Sequence, residues 1–327
     1  MRKQVKALGL CSGGLDSMLA GLVLRQQGIQ VAWITFETPF FSSEKARKAS
    51  RITGIPLTVK KITRQYLPML RNPNCGYGKW INPCMDCHAL MFRLAGDQMK
   101  RKGFHFLFSG EVLGQRPMSQ TRPSLRYVEK NSGCDGYILR PLSAKLLPES
   151  IPEKEGWVDR ERLCDIVGRG RKAQIELARE FGVTDYPAPA GGCLLTDRGY
   201  SNRLRDFLQH RKNPKESELH LLKFGRHFRL ANKTKLIVGR TQKDNEQILK
   251  YHTPRKDTVM KTLQVPGPVL LIPDGSDRET LQTAAAICAG YSKANGDSTL
   301  VQIVTPEGRE FLEVKGVSPG DVKQFLI

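Results

Sequence analysis

Ser12-Gly13-Gly14-Leu15-Asp16-Ser17 is the stretch that decides the fold of the first half of this 327-residue chain. An apolar run over residues 5–10 precedes it and predicts a buried strand, and a periodic segment over residues 15–27 predicts a helix that stops at Gly28. A glycine-rich turn between a strand and a helix gathers free backbone N–H groups and the positive end of the helix dipole at one point. The stretch therefore predicts a site for a phosphate group.

The side chains of this stretch suit a nucleotide. Gly13 and Gly14 let the backbone come close to phosphates, and Ser12 and Ser17 add hydroxyl donors. Asp16 would repel a bare phosphate, so we interpret it as a ligand of the Mg²⁺ ion that accompanies a nucleotide. The spacing is neither that of a Walker loop nor that of a dinucleotide fingerprint. A Ser/Gly turn capped by Asp, with no ligand, is the alternative.

The pattern outside this stretch predicts an α/β fold. Apolar runs alternate with helical periodicity, which is typical of a parallel sheet covered by helices on both faces. The predicted strands are 5–10, 29–36, 57–62, 104–108, 269–272, 300–305 and 311–315, and the predicted helices are 15–27, 42–54, 88–102, 171–181 and 278–293. We predict an ATP-binding catalytic domain over residues 1–200 and a second, basic α/β domain over residues 201–327.

The net charge predicts a polyanionic partner. The chain carries 52 Lys and Arg against 32 Asp and Glu, and residues 201–262 hold 16 of the former against 6 of the latter. An excess of this size favours nucleic acid first and an anionic membrane surface second; a basic protein with no such partner is the alternative. No apolar stretch approaches the ~20 residues that span a bilayer, and no signal peptide is indicated. We expect a cytoplasmic protein that does not enter the membrane.

Eight cysteines in a cytoplasmic chain are not expected to form disulfides, which leaves buried structural thiols, metal ligands or redox catalysis as their roles. Cys84 and Cys87 form a CxxC pair directly before the helix predicted from His88, where thiolates are favoured. Residues 84–88, Cys-Met-Asp-Cys-His, formally match the motif for c-type haem attachment. We reject this interpretation because haem attachment needs an exported chain. A structural zinc site of Cys75, Cys84, Cys87 and His88 is one alternative.

An iron–sulfur site is the interpretation we prefer. Cys193 follows a Gly/Pro-rich segment over residues 187–192, which can present a thiol without helix or sheet constraints. With Cys84 and Cys87 it supplies three thiolate ligands, which would leave one iron of a [4Fe–4S] cluster open to sulfide or substrate. A buried Cys193 that acts as a small hydrophobe is the alternative. We expect the remaining cysteines to be structural, with Cys75 ambiguous: Cys11, Cys134, Cys164 and Cys288.

These motifs resemble known families. The stretch SGGxDS resembles the loop of the PP-loop (N-type) ATP pyrophosphatases. The loop, the CxxC pair, residues 109–115 and the Cys193 segment follow the order found in tRNA thiolation enzymes, and SGEVLGQRPMSQ over residues 109–120 is similar to a segment of the tRNA 4-thiouridine synthetases. Residues 224–240 resemble the RNA-binding domain of the NFACT family. The synthetases usually carry an RNA-binding module ahead of the catalytic domain. In this sequence the phosphate loop begins at residue 12, so we expect the basic half to capture the RNA instead.

The resemblance implies an ATP-dependent tRNA sulfurtransferase that adenylates a uridine carbonyl and replaces its oxygen with sulfur. It implies catalytic roles for Asp16 and Cys193, with sulfur from sulfide or a persulfide carrier. Both 4-thiouridine and 2-thiouridine are compatible products, and the oligomeric state stays open. Another PP-loop adenylating ligase or amidotransferase, or a non-catalytic RNA-binding protein, is the alternative. The implied ATP site comprises Ser12, Gly13, Gly14, Asp16, Ser17, Gly110 and Gln115, and the implied cluster ligands are Cys84, Cys87 and Cys193.

Overall fold

The chain forms two compact units, Met1–Thr196 and Asp197–Ile327. The structure, a computed structural model, describes residues 4–188, 193–294 and 296–327. Each unit has its own sheet and its own apolar core. Across these described ranges, no helix is both long and apolar enough to cross a bilayer.

The first unit alternates strands and helices, as the sequence predicts. Short 3₁₀ turns over residues 144–146, 160–162 and 194–196 complete it. Its elements are β1 (Lys6–Leu10), α1 (Leu15–Gln26), β2 (Gln30–Glu37), α2 (Glu44–Thr53), β3 (Leu57–Lys61), α3 (Thr63–Arg71), α4 (Cys84–Lys102), β4 (Phe106–Ser109), α5 (Arg122–Ser132), β5 (Ile138–Leu139), α6 (Ile151–Lys154) and α7 (Lys172–Glu180).

Five parallel strands in the order β3-β2-β1-β4-β5 form the sheet of this unit, which confirms the predicted α/β class. The chain builds outward from β1 to β3 and then returns to the other side of β1 with β4. Strand order therefore reverses between β1 and β4, and in open parallel sheets ligands bind in the crevice beyond the carboxyl ends of the strands at such a point. The loops after β1 and β4 are the two that the sequence analysis singled out.

The central strand is apolar because both of its faces are covered. Ala7 and Leu8 of β1 are buried, as are Trp33 of β2 and Phe108 of β4. Helix α1 packs along this core and buries nine of its twelve residues. The loop that follows β1 is consequently held by a rigid strand on one side and a rigid helix on the other.

Two local predictions were wrong. Helix α4 begins at Cys84 rather than at His88, so both cysteines of the CxxC pair lie in its first turn and not before it. Pro83 fits the position before the first helical residue, and Asp86 places a negative charge in the first turn, where the helix dipole favours it. Helices α3 and α5 were also missed; α3 contains Pro68, which lowers its helical propensity.

The second unit is an antiparallel sheet with helices. Its six strands run in the order β11-β10-β8-β9-β7-β6, and every pair in it is antiparallel. A 3₁₀ turn over residues 323–325 closes it. Its elements are α8 (Arg198–His210), α9 (Glu216–Leu221), β6 (Arg226–Arg229), β7 (Lys235–Val238), α10 (Gln242–Tyr251), β8 (Thr258–Thr262), β9 (Val269–Ile272), α11 (Arg278–Gly290), β10 (Ser298–Thr305) and β11 (Gly308–Lys315).

The contact between the two loops of the first unit leads to a stability prediction. A Cβ atom at Gly110 would lie 2.4 Å from the backbone of Asp16 and Ser17, whereas one at Gly170 would meet no atom within 4 Å. We expect Gly110→Ala to lower the free energy of unfolding by about 1–3 kcal/mol through overpacking, and Gly170→Ala to leave it nearly unchanged. Urea denaturation measures both. Equal stability of the two variants would contradict the close approach of the loops.

Candidate active site

The loop after β1 adopts the geometry of an anion site. Gly13 has a left-handed φ of 77°, and a Cβ there would lie 2.2 Å from the backbone of Lys45 at the start of α2. Gly14 is the residue before α1 and no side chain caps the helix start. The Ser12 hydroxyl accepts from the Gly14 N–H at 3.4 Å, and the Ser17 hydroxyl donates to the Gly14 carbonyl at 2.7 Å. The first N–H groups of α1 therefore keep free hydrogen-bonding capacity for a ligand.

Asp16 is the charged group of this loop and one of its oxygens is unsatisfied. Gln115, from the loop after β4, donates its amide N–H to Asp16 Oδ2 at 3.2 Å. Asp16 Oδ1 is buried and has no hydrogen-bond partner among the described residues. Burial raises the pKa of Asp16, although Gln115, Arg171 and Arg116 oppose that shift. A buried carboxylate oxygen without a partner is suited to a hard cation, so the residues present fit Mg²⁺.

Three residues that the sequence analysis did not assign surround Asp16. Arg171, Gln174 and Arg116 all act on the Asp16 carboxylate. Gln174 of α7 is fully buried, and neither its amide nitrogen nor its amide oxygen finds a hydrogen-bond partner in the part of the chain that the structure describes. One signal could have found Gln174: it lies four residues before Ala178, on the face of α7 that is buried. A polar residue on the apolar face of a predicted helix indicates a buried polar site.

Arg116 connects this site to the cysteines. Burial raises the pKa of both Asp16 and Cys193, and the Arg116 guanidinium opposes that rise in both groups. The exposed Arg116 thus acts on the Asp16 carboxylate and on the thiol of Cys193, which lies 77 residues after Arg116 in the sequence.

A buried ionic network holds the loop after β4 in place. Glu111 accepts from Arg140 Nε at 3.1 Å, bonds His88 Nδ1 at 2.8 Å and accepts from the Ser109 hydroxyl at 3.0 Å. Arg140 also pairs with Glu129 of α5. Burial raises the pKa of Glu111, but Arg140 and His88 outweigh burial and lower it to about 2. The network joins the loop to the first turns of α4, so it also positions the CxxC pair.

Cys84 and Cys87 lie in the first turn of α4 and are half-buried. The Asn82 amide donates to Cys84 Sγ at 3.3 Å. Between the two cysteines, Asp86 accepts from the Cys75 N–H at 2.9 Å and from the Tyr127 hydroxyl at 2.8 Å. Burial raises the pKa of Cys87 to about 12, with smaller contributions to that rise from the neighbouring Cys193 and Cys84, while Tyr66 opposes it.

Cys193 comes to the same place from a distant part of the chain. Leu194 donates its N–H to the Phe40 carbonyl at 3.3 Å, and Thr196 donates its N–H to the Cys193 carbonyl at 2.9 Å. Burial raises the pKa of Cys193, and Cys84 adds to that shift. The structure therefore brings Cys84, Cys87 and Cys193 into one electrostatically coupled group. The Gly/Pro-rich segment predicted to present Cys193 lies in part, over residues 189–192, outside the described residues.

The remaining cysteines differ in burial, and Cys75 adjoins this group because its N–H bonds Asp86. Cys11, Cys134 and Cys288 are buried and Cys164 is half-buried, whereas Cys75 is exposed. His88, a ligand of the alternative zinc site, bonds Glu111 through Nδ1, so Nε2 is the nitrogen with which it would bind a metal. Over residues 4–188, 193–294 and 296–327, no three His, Cys, Asp or Glu side chains are disposed to hold a single metal ion. In ligand type the three thiols fit an iron–sulfur cluster, in which each sulfur binds a different iron, so the three need not converge on one ion.

The second unit presents basic side chains to solvent. Asp206 of α8 neutralises the half-buried Arg229 at 2.8 Å and the buried Lys235 at 2.6 Å. Arg226 lies 4.9 Å over the ring of Tyr291. The exposed cations of this unit include Lys233, Lys243, Lys250, Arg255, Lys256 and Lys261.

Two family models each match a part of the chain. Residues 3–145 match the model described as "Thiamine biosynthesis protein (ThiI)". Residues 225–326 match the model described as "NFACT protein RNA binding domain". Both resemblances indicated by the motifs are thereby confirmed: the first unit is similar to the ThiI type of α/β domain, and the second contains an NFACT-type RNA-binding domain.

Particular relatives share parts of the chain. A probable tRNA sulfurtransferase of Lachnospira eligens is 29% identical over 145 residues, which is 42% of this chain and 35% of that protein. A second one, from Oceanobacillus iheyensis, is 30% identical over 42% of this chain and 34% of its own length. The tRNA-specific 2-thiouridylase MnmA 1 of Syntrophus aciditrophicus is 26% identical over 62% of this chain and 55% of its own length. The chain thus spans about a third to about half of these relatives.

The solved structures are more distant. The predicted subunit of a tRNA methyltransferase from Methanocaldococcus jannaschii aligns with 54% of this chain and 76% of its own, at 16% identity and a TM-score of 0.35. A likeness at that level does not indicate a function.

The Glu111 network leads to a pH prediction. Because Glu111 has a pKa of about 2 in the fold against an ordinary value of 4.5, its stabilising effect is present above pH 4.5 and is lost as the pH falls towards 2. We expect Glu111→Gln to lower the free energy of unfolding by about 3 kcal/mol at pH 7, because a buried arginine loses a charged partner. Urea denaturation from pH 7 to pH 3 measures this, and the difference in the free energy of unfolding between wild type and the variant should become smaller below pH 4.5. A difference in the free energy of unfolding that does not change with pH would contradict the ionic role of Glu111.

Proposed function

We propose that this protein is an ATP-dependent tRNA sulfurtransferase, which adenylates a carbonyl oxygen of a uridine and replaces it with sulfur. The observation that carries the proposal is the loop after β4, which bonds Asp16 of the phosphate loop through Gln115 and bonds His88 of the cysteine-bearing helix α4 through Glu111. A phosphate site alone would suit many adenylating enzymes. A phosphate site and a group of thiols that are joined by one loop suit a reaction in which an adenylated carbon meets sulfur.

The activation step follows from the loop after β1. ATP would lie with its phosphates on the free N–H groups at the start of α1, where the helix dipole and Ser12 stabilise negative charge. Asp16 Oδ1 would hold Mg²⁺, which neutralises charge on the phosphates, and Gln115 fixes the other oxygen of that carboxylate. The uridine oxygen attacks the α-phosphorus and pyrophosphate leaves. Arg171 and Gln174 lie beside Asp16, where they would bind that pyrophosphate.

The sulfur step uses the thiol group. Hydrosulfide attacks the activated carbon and AMP leaves with the former carbonyl oxygen, so the base gains C=S and a proton is released. Cys84, Cys87 and Cys193 would hold a [4Fe–4S] cluster, which when bound supplies a place for the sulfur; a persulfide on Cys193 is the other source of sulfur that this group supports. Arg116 would hold the AMP phosphate near the thiols, and such positioning lowers the barrier to attack.

The second unit would supply the RNA contacts. Residues 225–326 match an RNA-binding family model, and seven exposed Lys and Arg side chains lie in the stretch from Lys233 to Lys261. Lys and Arg bind phosphates without reading sequence, which suits capture of a folded tRNA. The substrate would be a cytoplasmic tRNA, with its uridine delivered to the first unit.

Replacement of Asp16 tests the activation step. Asp16→Asn keeps the shape of the side chain and removes the charge assigned to Mg²⁺. We expect pyrophosphate release to fall by on the order of 100-fold or more, with tRNA binding preserved because the basic residues of the second unit are untouched. A malachite-green assay after pyrophosphatase treatment measures release, and filter binding measures tRNA affinity.

The stability of the same variant supplies the control. Burial raises the pKa of Asp16, so the effect of this carboxyl on stability is favourable below its ordinary pKa and turns unfavourable as the pH rises through the raised one. We therefore expect nucleotide-free Asp16→Asn to melt at a higher temperature than wild type at pH 7, with a smaller difference near pH 4. A variant that melts higher and still releases pyrophosphate at the normal rate would refute the phosphate-loop assignment.

Serine variants of the cysteines test the sulfur step. If all three hold a cluster, Cys84→Ser, Cys87→Ser and Cys193→Ser should each lose iron and thiolation, because a hydroxyl is a poor ligand for this metal. Iron content after anaerobic purification and thiouridine content of tRNA measure the two effects. Cys164→Ser is the matched control, a half-buried thiol in the same unit, and it should retain both.

The other outcomes identify the alternatives. Loss of thiolation from Cys193→Ser with metal retained would indicate a persulfide on that residue. Loss of zinc from Cys84→Ser and Cys87→Ser alone would indicate a structural zinc site. Normal thiouridine formation by Cys193→Ser would contradict both functional roles of this cysteine.

A further inference from the structure

Tyr66 is a buried residue that the proposed function leaves without a role. It lies in α3, an element that the sequence pattern does not predict, and its side chain is fully buried. Its hydroxyl has no hydrogen-bond partner of good geometry among the residues the structure describes. An unsatisfied buried hydroxyl costs about 1–3 kcal/mol, so its presence calls for a ligand that satisfies it.

The hydroxyl lies at the thiol group. Tyr66 interacts electrostatically with Cys87, Cys193 and Cys84, and among the three its hydroxyl is in contact with Cys87. These cysteines come from α4 and from the segment after residue 192, so two separate parts of the chain converge on a phenol that a third part, α3, carries. The thiol Sγ atoms are weak acceptors, and a bound sulfur anion would be a stronger one.

The ring of Tyr66 is held rigidly. Phe40 and Phe41 each lie 5.5 Å from it between ring centroids, Phe40 tilted and Phe41 edge-on. The carbonyl of Phe40 also accepts from Leu194, the residue after Cys193. The phenol and the segment that carries Cys193 are therefore fixed to the same short stretch after β2, and the hydroxyl cannot rotate away from the thiols.

We propose that the Tyr66 hydroxyl donates a hydrogen bond to the sulfur that Cys84, Cys87 and Cys193 hold, and that this bond retains the sulfur in the site. The inference rests on the proposed function for the presence of that sulfur. The ligand is an anionic sulfur, present either as sulfide bound with iron or as the outer sulfur of a cysteine persulfide. Both forms accept a hydrogen bond from a phenol.

Retention of sulfur by the purified full-length chain tests this inference without tRNA. One sample is loaded anaerobically with ferrous iron and inorganic sulfide, and a second with polysulfide in the absence of metal. After gel filtration, labile sulfide is followed over time in the first sample and cyanolysable sulfur in the second. The arm in which the wild-type chain retains sulfur identifies the form that the site binds.

Tyr66→Phe keeps the packed ring and removes only the hydroxyl. We expect its bound sulfur to be lost about tenfold faster than that of wild type, since a hydrogen bond to an anion is lost. Tyr127→Phe is the matched control because it removes a phenol hydroxyl that bonds Asp86 of the same helical turn, and it should retain sulfur as wild type does. 3-Fluorotyrosine at position 66 keeps the donor and should also retain it.

The outcomes separate this inference from the proposed function. Equal retention by wild type and Tyr66→Phe, or no retention by wild type in either arm, would overturn the role of Tyr66. Faster loss from Tyr66→Phe in a chain that makes no thiouridine would support the role and refute the sulfurtransferase proposal. Because Tyr66→Phe removes an unsatisfied buried group, its melting temperature should equal or exceed that of wild type, and a folded variant is expected.

Discussion

The contact of Gly110 with the backbone of Asp16 and Ser17 is the constraint on which the first unit depends. It exists because β4 pairs directly with β1, so the loops that leave these two strands meet at the carboxyl edge of the sheet. Only a residue without a Cβ permits that approach. The same contact brings Gln115 to Asp16, and it places Arg116 where it acts on a carboxylate and a thiol.

A second consequence of this contact is the position of the helix that carries the cysteines. Glu111 follows Gly110 directly, and its ion pairs reach His88 in α4 and Arg140 after β5. Charge that is buried at this depth is stable only when its partners are fixed. The phosphate loop, the loop after β4 and the CxxC turn are therefore parts of one rigid arrangement, so the proposed nucleotide and sulfur steps would need no large movement of the first unit.

Local patterns in the sequence predicted the parts of this arrangement that are set by neighbouring residues. The loop at residues 12–17 stands out because apolar periodicity on both sides defines a strand and a helix, and β1 and α1 form within a residue or so of the predicted limits. The start of α4 was misplaced by four residues because the first turn is set by Pro83 and Asp86 rather than by an apolar repeat. Tyr66 and Gln174 could not be assigned, because the polar groups of each become buried and unsatisfied only after distant elements pack around them.

Whether this chain places sulfur in tRNA is tested most directly on the nucleosides of the tRNA itself. Total tRNA from a strain that lacks the gene, and from the same strain carrying the gene again, is digested and measured by mass spectrometry. We expect one thiouridine to be absent from the tRNA of the strain that lacks the gene and to be restored when the strain carries the gene again. A gene encoding Asp16→Asn should not restore it. Identical thiouridine content in all of these samples would contradict the proposed tRNA sulfurtransferase function.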